Sequence, residues 1–310
     1  MFIYDEESQL CYFNPDSFET SDQYFLVGAL FGLAIYNSTI LDVALPPFLF
    51  KKLLMSGPSQ GGTHSAAFRH TLQYTVEDLA EYRPALARGL RQLLEFEGNV
   101  EETFCRDFVA EVSRYGTIST IPLCNDGARK PVTNANRQQF VDAYIKFLLD
   151  THVTRQFEPF KRGFFTVCGG NALSLFQPEE IELLIRGSDE ALDVPTLKAV
   201  AVYENWRRGE TQIEHPEEID LIRWFWGEFE SATPQDQRRL LSFVTGSDRI
   251  PAAGAANLVI KLQFAGKDHR RFPTARTCFN SLLLYKYPTR QDLANKLWRA
   301  ISDSEGFGLK

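Results

Sequence analysis

Among the side chains of this 310-residue chain that could act as a nucleophile, the five cysteines stand first: Cys11, Cys105, Cys124, Cys168 and Cys278. No two lie closer than nineteen positions and none forms a Cys-x-x-Cys pair, a spacing that argues against a zinc site. Cys278 differs from the others in its setting. It directly follows the stretch 267–277, where Lys267, Arg270, Arg271 and Arg276 stand against the single acid Asp268. Neighbouring cations favour the thiolate, which is the nucleophilic form. Cys105 and Cys168 have apolar or small neighbours, and Cys11 adjoins Tyr12 and Phe13. These three, with Cys124, read as packing residues. A cysteine hydrolase would pair Cys278 with one of His64, His70, His152, His215 or His269, but no papain-like signature surrounds the cysteine. Neither a metal nor a cofactor is expected.

Composition narrows the context in which such a thiol would act. With 44% hydrophobic residues, 24% charged residues and 13% aromatics, the chain is neither disordered nor of low complexity. A net charge of -7 argues against nucleic acid as a partner, because phosphate binding calls for a basic field. The first nine residues are acidic and do not resemble a signal peptide. The longest apolar run, Phe25 to Tyr36, falls short of the roughly 20 residues that a membrane span needs. A soluble protein of the reducing cytosol or nucleus, with free thiols, is the expectation.

Helices dominate the first part of the chain. Thr20-x-x-Gln23 forms a capping box ahead of the run Tyr24 to Tyr36, and Pro46-Pro47 opens a short helix to Leu54. From Arg83 to Phe96, Leu86, Leu90 and Leu93 recur at helical spacing. Phe104 to Val109 and the turn Asn125-Asp126-Gly127 predict a small β element, Asn134 is placed as the cap of a long helix, and Pro178 opens another that Gly187 closes. The acidic stretch between Gly187 and Pro195 then reads as a linker. Charge changes across it: residues 1–187 carry 16 basic and 23 acidic side chains, whereas residues 195–310 carry 17 and 14. Beyond the linker, Pro216 and Thr233-Pro234 start helices, Leu258 to Phe264 and Cys278 to Leu284 read as strands, and Thr289-x-x-Asp292 caps a last helix with Leu293, Leu297 and Ile301 on one face. The class is α+β.

The stretch Phe272-Pro273-Thr274-Ala275-Arg276-Thr277-Cys278-Phe279-Asn280, followed by Leu282-Leu283-Leu284, resembles the active-site segment of HECT-type ubiquitin-protein ligases. Trp224-Phe225-Trp226, the run from Phe243 to Pro251 and the Gly306-Phe307-Gly308-Leu309 tail are similar to further marks of that family's C-terminal lobe. Asn14 to Phe18, Gly32 to Asn37, Leu41-Asp42-Val43 and Glu95 to Glu102 resemble its N-terminal lobe. The motifs occur in family order along the whole chain.

The resemblance implies a bilobal HECT domain, with a mainly helical N-lobe at 1–187, a hinge at 188–194 and a smaller α+β C-lobe at 195–310. It implies that Cys278 accepts ubiquitin as a thioester from a ubiquitin-conjugating enzyme and passes it to a lysine of a protein substrate. Thr277 and Phe307 match auxiliary positions of that reaction. Leu86, Leu90, Leu93, Phe96, Phe104 and Phe140, in a subdomain of about 72–140, match the groove that docks the conjugating enzyme, although their periodicity alone describes a core. Arg276 stands where the family commonly has histidine, Tyr285 where it has proline, and the segment Glu204 to Pro216 is longer than its counterpart. The chain begins inside the usual N-lobe. An N-lobe exposed along one side is therefore expected, with an inactive module that only binds ubiquitin-pathway partners as the alternative to an active ligase.

Overall fold

The computed structural model describes residues 1–41, 43–55, 73–169, 173, 175–208, 211–212 and 214–305. By internal contacts the chain divides into two compact units, Met1–Asn37 with Val43–Glu182, and Ser38–Asp42 with Leu183–Lys310. The division at Glu182 precedes the Gly187 boundary that composition suggests. Main-chain bonds account for the shift. Leu41 N–H donates to the Ile185 carbonyl (2.9 Å), and Ser188 and Ile250 exchange both of theirs (2.7 and 3.1 Å), so residues from Leu183 onward belong to the second unit.

The first unit contains β1 (Phe2–Tyr4) paired antiparallel with β2 (Cys11–Phe13), then α1 (Ser21–Tyr36), α2 (Pro47–Met55), α3 (Val76–Tyr82), α4 (Pro84–Glu95) and α5 (Val100–Phe104). It continues through the hairpin β3 (Val109–Arg114) and β4 (Thr117–Pro122), α6 (Arg137–Leu149) and α7 (Thr154–Val167), and into α8 (Pro178–Arg186), whose last turn lies in the second unit. Its centre is the crossing of α1 and α7. Gly28 and Gly163 permit that crossing: a β-carbon on either would lie 1.9 Å from a carbonyl oxygen of the facing helix, that of Phe160 or Phe25. Aromatic rings then fill the space around it, with Phe13, Phe31 and Phe160 in edge-to-face contact. Lys52 is buried there 2.8 Å from Asp150; burial pulls its pKa down and the Asp150 carboxylate opposes that fall.

Several sequence expectations are corrected in this unit. Asn134 does not cap the long helix α6. Asn136 holds that position, while the Asn134 side chain accepts from Val100 N–H (3.0 Å) and donates to the Gly98 carbonyl (2.8 Å). The β element lies at 109–122, after a short helix that ends at Phe104. Helix α7 has no counterpart in the sequence reading, because Pro159 inside it interrupts the helical signal and only tertiary packing of Phe157, Phe160 and Phe164 offsets the missing hydrogen bond.

The second unit surrounds a four-stranded mixed sheet in the order β5-β8-β10-β9. The strands are β5 (Val202–Glu204), β8 (Lys261–Gly266), β9 (Thr274–Arg276) and β10 (Ser281–Tyr285), and a separate pair, β6 (Arg207–Arg208) and β7 (Thr211–Gln212), lies apart from them. β5 and β8 run parallel, as do β8 and β10, whereas β9 is antiparallel to β10. Helices α9 (Val194–Ala199), α10 (Asp220–Ser231), α11 (Pro234–Thr245) and α12 (Arg290–Glu305) cover it. Phe225, Trp226, Leu241, Leu262, Leu282 and Leu297 form part of one continuous core. Unlike the Asn134 cap, those read at Thr20, Thr233 and Thr289 are present: Gln23 accepts from Thr20 N–H (2.7 Å), and Thr233 and Thr289 accept from the N–H groups of Asp236 (3.2 Å) and Asp292 (3.1 Å).

Candidate active site

Cys278 lies on a single helical turn, Thr277–Phe279, between β9 and β10. The strand expected to start at Cys278 starts instead at Ser281. The reason is local: Asn280 adopts a left-handed conformation (φ 48°, ψ 41°) that cannot extend a ladder. Its N–H donates to the Thr277 carbonyl (3.1 Å) and its own carbonyl accepts from Lys261 N–H of β8 (2.8 Å). Ser281 pairs with Arg276 and Leu282 with Ala275, so both ends of the turn are tied to the sheet. The backbone is anchored while the thiol is exposed. Phe279 beside it is 65% exposed.

The basic stretch ahead of the cysteine is held mostly through its main chain. Tyr287 Oη donates to the Arg271 carbonyl (2.9 Å) and Lys296 Nζ to the Arg270 carbonyl (3.1 Å). Arg271 itself faces Asp268 (3.5 Å) and the ring of Tyr285 (5.9 Å), and Phe272 lies under Lys296 (4.7 Å). Among the described residues Cys278 Sγ has no hydrogen-bond partner and no histidine is bonded to it. His215 faces Glu217 (3.2 Å), and His152, in the first unit, stacks on Phe147. His64 and His70 lie outside the described residues.

Thr277 forms part of the wall of a groove of about 920 Å³ within the second unit. Ser242 and Phe243 of α11 and Ile301 of α12 line it with Arg186, Arg238, Arg239, Arg249 and Asp248. Gly246 ends α11 with φ 84°, and a β-carbon there would lie 3.5 Å from Thr277 Cβ, which fixes the groove against the residue preceding the cysteine. The sequence reading missed this groove. Its arginines are spread over residues 186–249 and only folding collects them; the one local signal is the Arg238-Arg239 pair.

The cysteine comparison also changes. Cys168 is partly buried, and that burial pushes its thiol pKa up. Cys105 and Cys124, read as packing residues, are exposed instead. Cys105 is the left-handed residue that ends α5, its thiol bonded to the Glu102 carbonyl (3.3 Å), so helix termination turns it outward. Exposure alone therefore does not distinguish Cys278 from Cys105 and Cys124; it differs from them in lying on a turn tied to the sheet, next to Thr277.

The stripe proposed to dock the conjugating enzyme divides in two. Leu90, Leu93 and Phe140 are buried, Phe140 to 1% exposure against the ring of Phe108. Leu86, Phe96 and Phe104 keep part of their surface open, and the Phe96 and Phe104 rings meet edge to face at 5.3 Å. Arg137 of α6 fixes this end of α4 by donating to the carbonyls of Leu93 (3.3 Å) and Phe96 (2.5 Å). Phe307 lies outside the described residues.

A family model described as HECT-domain (ubiquitin-transferase) matches residues 1–310. The chain belongs to the HECT-domain family. It is 39% identical over 313 residues to the probable E3 ubiquitin-protein ligase HECTD2 of Mus musculus, covering all of this chain and 38% of the relative. It is 38% identical over 310 residues to the probable E3 ubiquitin-protein ligase HERC4 of Homo sapiens, covering all of this chain and 27% of the relative. Against the probable E3 ubiquitin-protein ligase mug30 of Schizosaccharomyces pombe it is 36% identical over 324 residues, covering 99% of this chain and 38% of the relative. The chain thus spans roughly a third of the length of these HECT relatives. No helix among its described residues is long and apolar enough to cross a membrane.

Proposed function

We propose that this HECT domain is a ubiquitin-protein ligase that receives ubiquitin from a ubiquitin-conjugating enzyme as a thioester on Cys278 and transfers it to a lysine of a protein substrate. The observation that carries this reading is the exposed thiol on a turn tied at both ends to the sheet, in a chain that matches the family throughout. Loading exchanges one thioester for another. The Cys278 thiolate attacks the carbonyl carbon, the conjugating enzyme's thiolate leaves, and little proton transfer is required. That chemistry is compatible with a thiol that has no bonded histidine. Transfer to lysine follows by amine attack on the new thioester.

Three further assignments belong to the same reading. Thr277 borders the carrier and lines the groove beside it, which supports an orienting role. Leu86, Phe96 and Phe104 form the open part of the face for the conjugating enzyme, with Leu90, Leu93 and Phe140 supporting it from beneath. The segment 188–194 acts as the joint between the N- and C-lobes of a bilobal domain, and its acidic, cap-bearing sequence supports that role.

The test is to incubate the chain with activating enzyme, conjugating enzyme, ATP and labelled ubiquitin. A reductant-sensitive adduct is expected, absent in Cys278→Ala and resistant to reductant as an ester in Cys278→Ser. An adduct that survives Cys278→Ala would overturn the assignment.

A further inference from the structure

Attack of lysine on a thioester has a requirement that loading lacks. Near neutral pH the incoming amine is an ammonium and must lose a proton before its nitrogen becomes nucleophilic. The groove beside Thr277 holds both kinds of group that ease this loss. Four arginines, Arg186, Arg238, Arg239 and Arg249, line it with one acidic residue, Asp248. Arg238 donates to the main-chain carbonyls of Asp248 (2.8 Å), Glu190 (2.7 Å) and Asp189, and Arg249 donates to that of Gly187 (3.2 Å). Neutral carbonyls position these two cations without cancelling their charge. Arg239 pairs with Asp236 (3.0 Å). The Asp248 side chain is exposed, and its carboxylate makes no hydrogen bond or ion pair with any described residue. It stands two positions after Gly246, which adjoins Thr277, the neighbour of Cys278.

We propose that this groove is the entry site for the acceptor amine and that Asp248 takes the proton from it. The inference rests on the reading of Cys278 as the acyl carrier. Cations close to an ammonium disfavour its charged form, so Arg238 and Arg249 help the acceptor lysine to deprotonate. One proton passes from the ammonium to the Asp248 carboxylate, and the freed lone pair forms the bond to the thioester carbonyl carbon. As the tetrahedral adduct collapses, the carbon–sulfur bond breaks and the Cys278 thiolate leaves. A second proton from the nitrogen restores the thiol, and Asp248 releases the first proton to water. The products are an amide and a free cysteine. The same positive charge opposes binding of the ammonium, so the acceptor is expected to bind weakly and react fast once bound.

The experiment uses the whole chain loaded with labelled ubiquitin on Cys278 and chased in single turnover, once with free lysine and once with hydroxylamine, which is uncharged at the same pH. Asp248→Asn is expected to load at the wild-type rate. It should discharge to lysine about 100-fold or more slowly, at the low end of what a proton acceptor contributes, and to hydroxylamine within about twofold of wild type, since that nucleophile has no proton to give up first. The lysine defect should shrink between about pH 7 and pH 9.5, as free lysine approaches its own pKa, and Asp248→Glu should recover part of the rate. Equal slowing toward both nucleophiles, impaired loading, or unchanged discharge to lysine would each overturn the proposal for Asp248. Failure of the wild type to load would instead break the reading of Cys278, so the two failures are distinguishable.

Discussion

Cys278 and Phe96 are both proposed to meet other proteins, yet the two regions hold them differently. The cysteine sits on a three-residue turn whose strands continue directly into the core of the second unit, and Leu282 and Leu284 are fully buried just beyond it. Phe96 ends an amphipathic helix of the first unit, and the stripe it terminates is part core and part surface. Substituting Cys278 removes a group without disturbing packing, whereas substituting along the α4 stripe changes stability and surface together. A reacting atom gains from a turn with nothing packed on it; a docking face gains from rings that keep one side in the core.

Variants can break or sharpen this contrast. Gly163→Ala should have the largest effect, because its β-carbon meets the Phe25 backbone, which cannot yield as a side chain does. A loss of about 4 kcal/mol or more is expected, at the upper end for overpacking. Calorimetry should show an early transition, while hydrogen exchange in β8 and β10 stays near wild type. Loss of protection in both units at once would mean that they unfold together and would erase the distinction.

Phe140→Ala should cost about 3 kcal/mol through its cavity, and Phe96→Ala about 1 kcal/mol or less, the loss of one edge-to-face aromatic pair. Chemical denaturation separates these values. Binding of a conjugating enzyme should weaken with Phe96→Ala while the fold remains cooperative, and unchanged binding would return Phe96 to a structural role.

The units should also differ in alkali. Burial, the main cause in each case, raises the phenol pKa of Tyr12, Tyr24, Tyr74, Tyr82 and Tyr144 in the first unit, against Tyr203 and Tyr287 in the second. A folded-state pKa above the unfolded value means stability that is complete below about pH 10 and declines as pH rises beyond it, by about 1.4 kcal/mol per pH unit for Tyr12 alone. Thermal melts between about pH 9 and pH 11 should show the first unit destabilised more steeply, and parallel losses would contradict the burial contrast. The smallest effect is expected from Thr233→Ala, about 1 kcal/mol from the lost cap of α11, confined to the second unit and visible as a small shift of its transition.

What could be read from sequence follows the range of the interaction involved. Thr20 with Gln23, Thr233 with Asp236 and Thr289 with Asp292 are bonds within one helical turn, and each is present. The segment after Gly187 combines both ranges: Asp193 caps α9, accepting from Thr196 N–H (3.1 Å), and Ser188 is bonded to Ile250, sixty-two positions away. Asn134 misled because it satisfies a local capping rule that a distant partner, Val100, overrides, and α7, with Pro159 inside it, went unread because its packing against α1 is a tertiary contact.

The segment around Cys278 shows the same division. In the sequence, the cations at 267–276 set Cys278 apart from the other four cysteines, and the order from Phe272 to Asn280 resembles the family's active-site segment, because side-chain identity is encoded locally; the left-handed turn at Asn280, which delays the strand to Ser281, was not read. The exposure of Cys105, the burial of Phe140, and the gathering of Asp248 with arginines from residues 186–249 around Thr277 were decided by the tertiary structure. Burial and electrostatic field at a point depend on which distant residues surround it, and packing of the chain determines those neighbours.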